Sequence, residues 1–282
     1  MRYCGRLFRE DELEIMRGII KEDPNRTRAR ISRLVCKALG WYKPDNGLKD
    51  MSCRVAMIRM HEDGLLTLPP PRNPRPTPRI RYTEATAPQE PISIPVEALP
   101  NLRLMPVSAK DQSALWNEYV HRYHYLGYSP LPGAQLRYMV MSADHVLALL
   151  GFGAAAWQTA PRDQFIGWNE QQRRKRLHLI VNNARLLILP WIHSKNLASK
   201  ILSMISKKLP GDWQRRYGYR PVLLETFVQS NRYNGTSYKA ANWIFVGQTR
   251  GIGKKGPIHP TLPKKDVLLY PLTPAFRKVL TS

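Results

Sequence analysis

Residues Leu223 to Gly251 read LLETFVQSNRYNGTSYKAANWIFVGQTRG, and the patterning of this stretch decides the fold. Its beginning, with the two residues before it, is the run PVLLETFV, apolar except for Glu225 and a threonine and followed by turn residues, which predicts a core strand. On that strand Val222, Leu224 and Thr226 point one way while Leu223, Glu225 and Phe227 point the other, so the Glu225 carboxylate shares a face with large apolar groups. A carboxylate so placed needs a partner, or its pKa rises until it is neutral. After the strand come a loop around Asn234 and Gly235, a short helix and a second strand, WIFVGQT.

Upstream the same alternation continues. DQSALWNEYVHRYHYLG has helical spacing, LRYMVMSADHVLALLGFGAAAW predicts two strands around the turn SADH, NEQQRRKRLHLIV starts as a basic helix, RLLILPWI predicts a strand and NLASKILSMISKKL a helix. Strands interleaved with helices predict an α+β domain over residues 101–282, a mixed sheet flanked by helices. Before it, residues 69–100 carry PPPRNPRPTPRIRYTEATAPQEPISIP, whose prolines favour extended backbone and predict a linker. Residues 1–68 hold three runs of helical spacing, ELEIMRGII, RARISRLVCKALGW and SCRVAMIRMHEDGLL, and then the short strand-like LLTL. Three helices followed by a small hairpin is the order of a winged helix-turn-helix, with Arg26, Arg28, Arg30, Lys49 and Arg54 on the surface meant for DNA.

The chain has 282 residues, 43% of them apolar, which supports an ordinary core. Lys and Arg number 44 against 21 Asp and Glu, a net charge of +23 spread over the whole length. Such an excess favours a polyanion as partner, because cations that neutralise phosphates release condensed counterions. DNA is the expected ligand, in double-stranded or single-stranded form, with RNA as the related alternative. Cys4, Cys36 and Cys53 match no zinc spacing and predict reduced thiols in a cytoplasmic protein. No apolar run has bilayer length, so no membrane partner is expected.

Candidate residues follow from charge and position. Glu225 has two readings: a structural ion pair with Arg162 or Arg185, or a site in which Glu225 and Asp163 act on a metal or as general base while Asn182 and Asn183 orient substrate or water. Two acids are fewer than a two-metal hydrolytic site wants, and no metal ligands are assigned. Ser237 has no histidine near it in sequence to make it a nucleophile. HRYHYLGY (121–128) and DWQRRYGYR (212–220) interleave rings with basic groups, a pattern suited to stacking on unpaired bases. Arg173, Arg174, Lys175 and Arg176 form a basic run, and with Arg162, Arg185, Arg215, Arg216, Lys239, Lys254 and Lys255 they are the expected phosphate contacts of this domain.

Three segments resemble the GNAT-type N-acyltransferases: LRYMVMSADHVLALLGFG as their antiparallel start, RLLILPWIHSKNLASKILSMISKKL as central strand and cofactor-facing helix, and NGTSYKAANWIFVGQTRG as the terminal segment. The resemblance implies that Tyr238 is the proton donor to a leaving thiolate if acyl transfer occurs. It also places the anion site of that family at His193 to Ser199, where no glycine stands; side chains there restrict close approach of phosphate to backbone. Ser194, Lys195 and Asn196 can still hold an anion at the helix start, or simply cap it, and the cofactor is left open. At a finer level KDMSCRVAMIRMHEDGLLTLPPPR, YHYLGYSPLPGAQLRY, APRDQFIGW, VNNARLLILP, LASKILSMI and the opening stretch resemble the DruA proteins of Druantia anti-phage systems, whose relatives also occur near or fused to transposases. That resemblance implies a DNA-binding protein of defence or mobile DNA with a degenerate GNAT-like domain and helicase-like partner proteins. The alternatives are an enzyme that modifies or cleaves nucleic acid around Glu225, and a non-catalytic adaptor.

Overall fold

The computed structural model describes residues 1–42, 47–71, 80–156, 158–251 and 263–282. The chain divides into two compact units, Met1–Arg79 and Ile80–Ser282. Lys254 and Lys255 lie outside the described residues.

The N-terminal unit begins with a two-stranded antiparallel hairpin, β1 (Arg2–Tyr3) and β2 (Arg6–Leu7). Three helices follow, α1 (Glu10–Glu22), α2 (Arg28–Ala38) and α3 (Asp50–Glu62). Thr27 caps α2 by accepting from the Arg30 amide at 3.2 Å. Leu13, Met16, Ile31, Val35, Met57 and Met60 face one another in a core closed by Phe8 and Trp41, in which Cys36 and Cys53 are buried and unbridged. A hairpin stands before the first helix, and none follows the third among the described residues. After α3 the chain buries Leu66 and Leu68 without forming a strand among the described residues, and Arg28 holds that path by donating to the Pro69 carbonyl at 2.7 Å.

The C-terminal unit is built on a seven-stranded mixed sheet. Its elements are β3 (Arg103–Pro106), α4 (Lys110–Tyr123), β4 (Gln135–Ser142), β5 (His145–Ala154), α5 (Ala160–Ile166), α6 (Glu170–Arg176), β6 (Ile180–Ile188), α7 (Leu197–Tyr217), β7 (Leu223–Gln229), α8 (Thr236–Ala240), β8 (Ile244–Gln248), β9 (Lys265–Pro271) and α9 (Phe276–Thr281). The strand order is β3-β4-β5-β6-β7-β9-β8, antiparallel throughout except for β6 and β7, which run parallel across the α7 crossover. The mixed sheet flanked by helices is as expected, and β9, which sequence patterning did not single out, lies between β7 and β8.

Pairing of β6 with β7 covers only Ile180–Asn183 against Leu223–Thr226. Beyond it both strands continue, β6 to Ile188 and β7 to Gln229, with no ladder between them. The alternation along β7 is as the sequence predicts: Leu224 and Val228 enter the core shared with α4 and α7, while Leu223 enters the core shared with α5 and α9. Gly151 on β5 is fixed by crowding, since a Cβ there would lie 3.2 Å from both the Trp116 ring and the Arg185 Cβ. Helix α7 runs eight residues past the expected stop at Leu209, through Pro210, because Asp212 and Trp213 are buried on its last turns and Tyr138 donates to Asp212 at 2.9 Å.

Residues 80–100, expected as linker, pack on this unit. Ile92 bridges Ile192, the Ile92 amide reaches the Trp191 carbonyl at 2.9 Å, and Val96 and Leu99 are buried. The anchor is Glu118 of α4, which accepts from Thr86 Oγ1 at 2.6 Å, from Thr83 Oγ1 at 3.0 Å and from the Thr83 amide. Extended backbone is tolerated there because α4 and the turn after β6 satisfy its polar groups. Burial opposes ionisation of Glu118, but the bonds from Thr86 and Thr83 outweigh it and hold the carboxyl below its ordinary value. A depressed folded-state pKa stabilises above the unfolded value of about 4.3 and the gain is lost as pH falls through the folded value. Melting temperatures measured by circular dichroism from neutral to acid pH are therefore expected to fall on acidification, with Glu118→Gln lower at neutral pH and less sensitive to acid. Equal acid sensitivity in the two proteins would remove Glu118 as the anchor.

Candidate functional site

Glu225 faces Asn182 within the paired part of β6 and β7 and is fully buried. Its partner is Arg162 of α5, also fully buried, whose Nη1 donates to Glu225 Oε2 at 2.8 Å and to the Ala156 carbonyl at 2.7 Å. Glu225 Oε1 accepts from the Ala156 amide at 2.8 Å. The other edge of the guanidinium grips Asp163 Oδ1 through Nε at 2.9 Å and Nη2 at 2.8 Å, and Trp168 donates to the same oxygen at 3.0 Å. Asp163 Oδ2 accepts from the Thr159 amide at 3.3 Å and pairs with Arg173 at 3.4 Å. Burial pushes the Glu225 carboxyl up, against the pull of Arg162 and the Ala156 amide.

Of the two readings of Glu225, the geometry gives the ion pair, and with Arg162 rather than Arg185. Each oxygen of Glu225 and Asp163 has a partner, and the guanidinium lies between the two acids, where a metal they shared would have to sit. Arg162, expected as a phosphate contact, has no exposed surface to offer one. Among the described residues no group of three or more potential metal ligands occurs.

The other two candidates, Asn183 and Tyr238, line a pocket of about 560 Å³ that opens where β6 and β7 part. Tyr238 donates to Asn183 Oδ1 at 2.6 Å, and the Asn183 amide donates to the Arg185 and Gly151 carbonyls at 3.0 and 3.3 Å. Burial raises the Tyr238 hydroxyl pKa, so it stays protonated and holds Asn183 in place. The walls also carry His124, Tyr125, Asn182, Arg185, Thr226, Tyr233, Ser237 and Lys265. The lining includes no Asp or Glu. Arg185 donates to the Ala184 carbonyl at 2.8 Å and Ser129 Oγ at 3.2 Å and makes no ion pair among the described residues. His124 accepts from the Leu126 amide at Nδ1, 3.2 Å, and burial with Arg185 and Arg232 nearby lowers its pKa to about 4, so the ring is neutral at physiological pH with its proton on Nε2.

A second, smaller pocket shares Ile188, Ala198, Thr236 and Ser237 with the first and reaches the start of α7. Ser194 and Asn196 line it, whereas Lys195 does not and is exposed. Asn196 adopts a left-handed conformation, φ 63°, its side chain makes no cap bond, and Ser194 Oγ is buried without a partner among the described residues.

The basic candidates are scattered. Arg28 holds backbone, Arg54 pairs with Asp50 at 3.6 Å, Arg174 with Glu170 at 2.5 Å and Arg215 with Asp212. Arg176 bonds Ser282 Oγ at 3.1 Å. Arg30, Lys175, Arg216 and Lys239 are exposed, and Lys49 is half-buried. Sequence reading did not mark Arg232, Tyr233 or Lys265 as site residues. The first two stand in the opening stretch as an adjacent cation and ring; Lys265 belongs to the strand that patterning did not reveal.

A family model described as Druantia protein DruA matches residues 75–258, more than half of the chain and all of the pocket lining except Lys265. The chain belongs to the DruA family. No curated protein matches the sequence. Solved structures similar to this DruA-family chain include the ribosomal-protein-S18-alanine N-acetyltransferase of Escherichia coli, at 8% identity and TM-score 0.37, covering 61% of this chain and 95% of that one. A polyamine N-acetyltransferase of Drosophila melanogaster matches at 10% identity and TM-score 0.37, covering 60% and 100%. Arabidopsis thaliana NAA60 in complex with acetyl-CoA matches at 11% identity and TM-score 0.41, covering 60% and 98%. Likeness at that level speaks to neither substrate nor chemistry.

Removing Arg162 leaves two carboxylates poorly compensated in the interior. Arg162→Met is expected to destabilise the C-terminal unit by roughly 3–5 kcal/mol in urea unfolding, and Arg162→Met with Glu225→Leu to recover part of the loss. A single-substitution cost within about 0.5 kcal/mol, the range of surface changes, would contradict the assignment.

Proposed function

We propose that the protein binds DNA as a component of anti-phage defence, and that it does so without using Glu225 or Asp163 as catalytic groups. Membership of the DruA family supports defence as the setting. The observation that carries DNA as the ligand is the pocket between β6 and β7, which presents Arg185 and Lys265 and no carboxylate in a chain of net charge +23. Elsewhere on this unit, exposed Lys175, Arg216 and Lys239 offer phosphate contacts that need no sequence readout. The three-helix unit supplies a second DNA contact through Arg30, Lys49 and Arg54 in the manner of a winged helix, although its hairpin comes before the helices. Helicase-like partner proteins perform the motor work on the bound strand.

The enzymatic alternative around Glu225 loses support from the same geometry, since both acids are engaged by Arg162. Fluorescence anisotropy with labelled duplex and single-stranded DNA tests the proposal. Binding is expected at low salt, with log K falling linearly against log salt at a slope of roughly −0.9 per phosphate contact on duplex and −0.7 on single strands. Lys175→Glu and Arg216→Glu are expected to weaken binding on every sequence alike. Absence of binding at low salt, or binding indifferent to salt, would overturn the reading.

A further inference from the structure

The pocket at the parting of β6 and β7 combines three kinds of group: aromatic rings, an unpartnered acceptor and cations. Rings stand at its mouth: Tyr125 and Tyr233 lie 5.4 Å apart at 59°, and Tyr233 is 44% exposed. The Arg232 guanidinium lies over both, 4.7 Å from the Tyr125 centroid and 5.6 Å from Tyr233. Asn182, also in the lining, has a buried Oδ1 with no hydrogen-bond partner among the described residues, an acceptor waiting for a donor. The lining also carries the cations Arg185 and Lys265 and no acid.

A volume of about 560 Å³ falls within the range of small-ligand sites, roughly 300–1,000 Å³, and admits one nucleotide but no duplex. Each ligand group that would satisfy these features occurs in a nucleotide. The rings and Arg232 suit the π-face of a base, Asn182 Oδ1 suits an N–H on a base edge, and Arg185 with Lys265 suits a phosphate. His124, also in the lining, adds a neutral N–H donor.

We infer that this pocket receives a single unpaired nucleotide of a DNA strand, its base against Tyr125 and Tyr233, its edge at Asn182 and its phosphate at Arg185 and Lys265. The inference rests on the DNA-binding reading above and makes it specific: the protein distinguishes DNA with an unpaired base from fully paired duplex. The distinction has a physical cause, because an unpaired base costs less to extrude than a paired one.

The test is a comparison by anisotropy of the full chain on a short mixed-sequence single strand, on a duplex with a one-base bulge and on the matched duplex. Tyr233→Ala and Arg185→Ala are expected each to lower affinity for the single strand and the bulge about tenfold while leaving the matched duplex nearly unchanged, and Tyr233→Phe to keep the wild-type preference. Because Tyr233 is half-exposed, its variants report binding rather than folding, which melting curves check. Salt-dependent DNA binding with no preference for unpaired bases, or a preference that both variants retain, overturns this inference and leaves the DNA-binding reading standing. No binding to any DNA at low salt overturns both. Coenzyme A that binds the chain and is displaced by no oligonucleotide also overturns the inference, by assigning the pocket to a different phosphate-bearing ligand.

Discussion

The buried contact between Arg162 and Glu225 ties together separate parts of the C-terminal unit. One guanidinium bonds the chain leaving β5 through the Ala156 carbonyl, the sheet through Glu225 on β7, and α5 through Asp163, from which the ion pairs continue to Arg173 on α6. Two charged groups buried without exposure are favourable only when geometry and further hydrogen bonds compensate for lost hydration, and here every carboxylate oxygen has a donor. The clamp sits where β6 and β7 are paired. A few residues on, past Asn183 and Thr226, the ladder stops and the pocket begins.

This placement separates the acids from the pocket. Glu225 and Asp163 are held by Arg162, Glu118 by the threonines of the strap before β3, and Asp212 by Tyr138 and Arg215. Carboxylates that stabilise the interior are unavailable to neutralise the cations at the strand parting, and Arg185 is left with carbonyl and hydroxyl partners alone among the described residues. Tyr238 and Asn183 then belong to the wall of a binding pocket, where one positions the other.

Much of this was legible in the sequence, for local reasons. The single acid in PVLLETFV announced a buried carboxylate because strand periodicity is strict, and the turn SADH marked the β4–β5 hairpin. What was not legible depended on distance along the chain or on tertiary compensation. Arg162 is 63 residues from Glu225, and nothing local prefers it to Arg185, on the strand that pairs with β7 beside Glu225. Pro210 reads as a helix stop until the burial of Trp213 beyond it is known. The prolines of residues 80–100 read as linker because the groups that satisfy their backbone, Glu118, Tyr119 and Tyr123, lie on a helix further on. Strand β9 follows a stretch rich in Lys, Gly and Pro, and its place between β7 and β8 is set by pairing with strands distant in sequence.

The most direct measurement is photo-crosslinking of the full chain to a single-stranded oligonucleotide carrying iododeoxyuridine, with the attached peptides identified by mass spectrometry. If the strand parting is where an unpaired nucleotide is held, the modified peptides contain Tyr125 or Tyr233, and the crosslink disappears in Arg185→Ala under conditions where the DNA remains bound. Crosslinks confined to other surfaces, with those two tyrosines unmodified, would contradict the account.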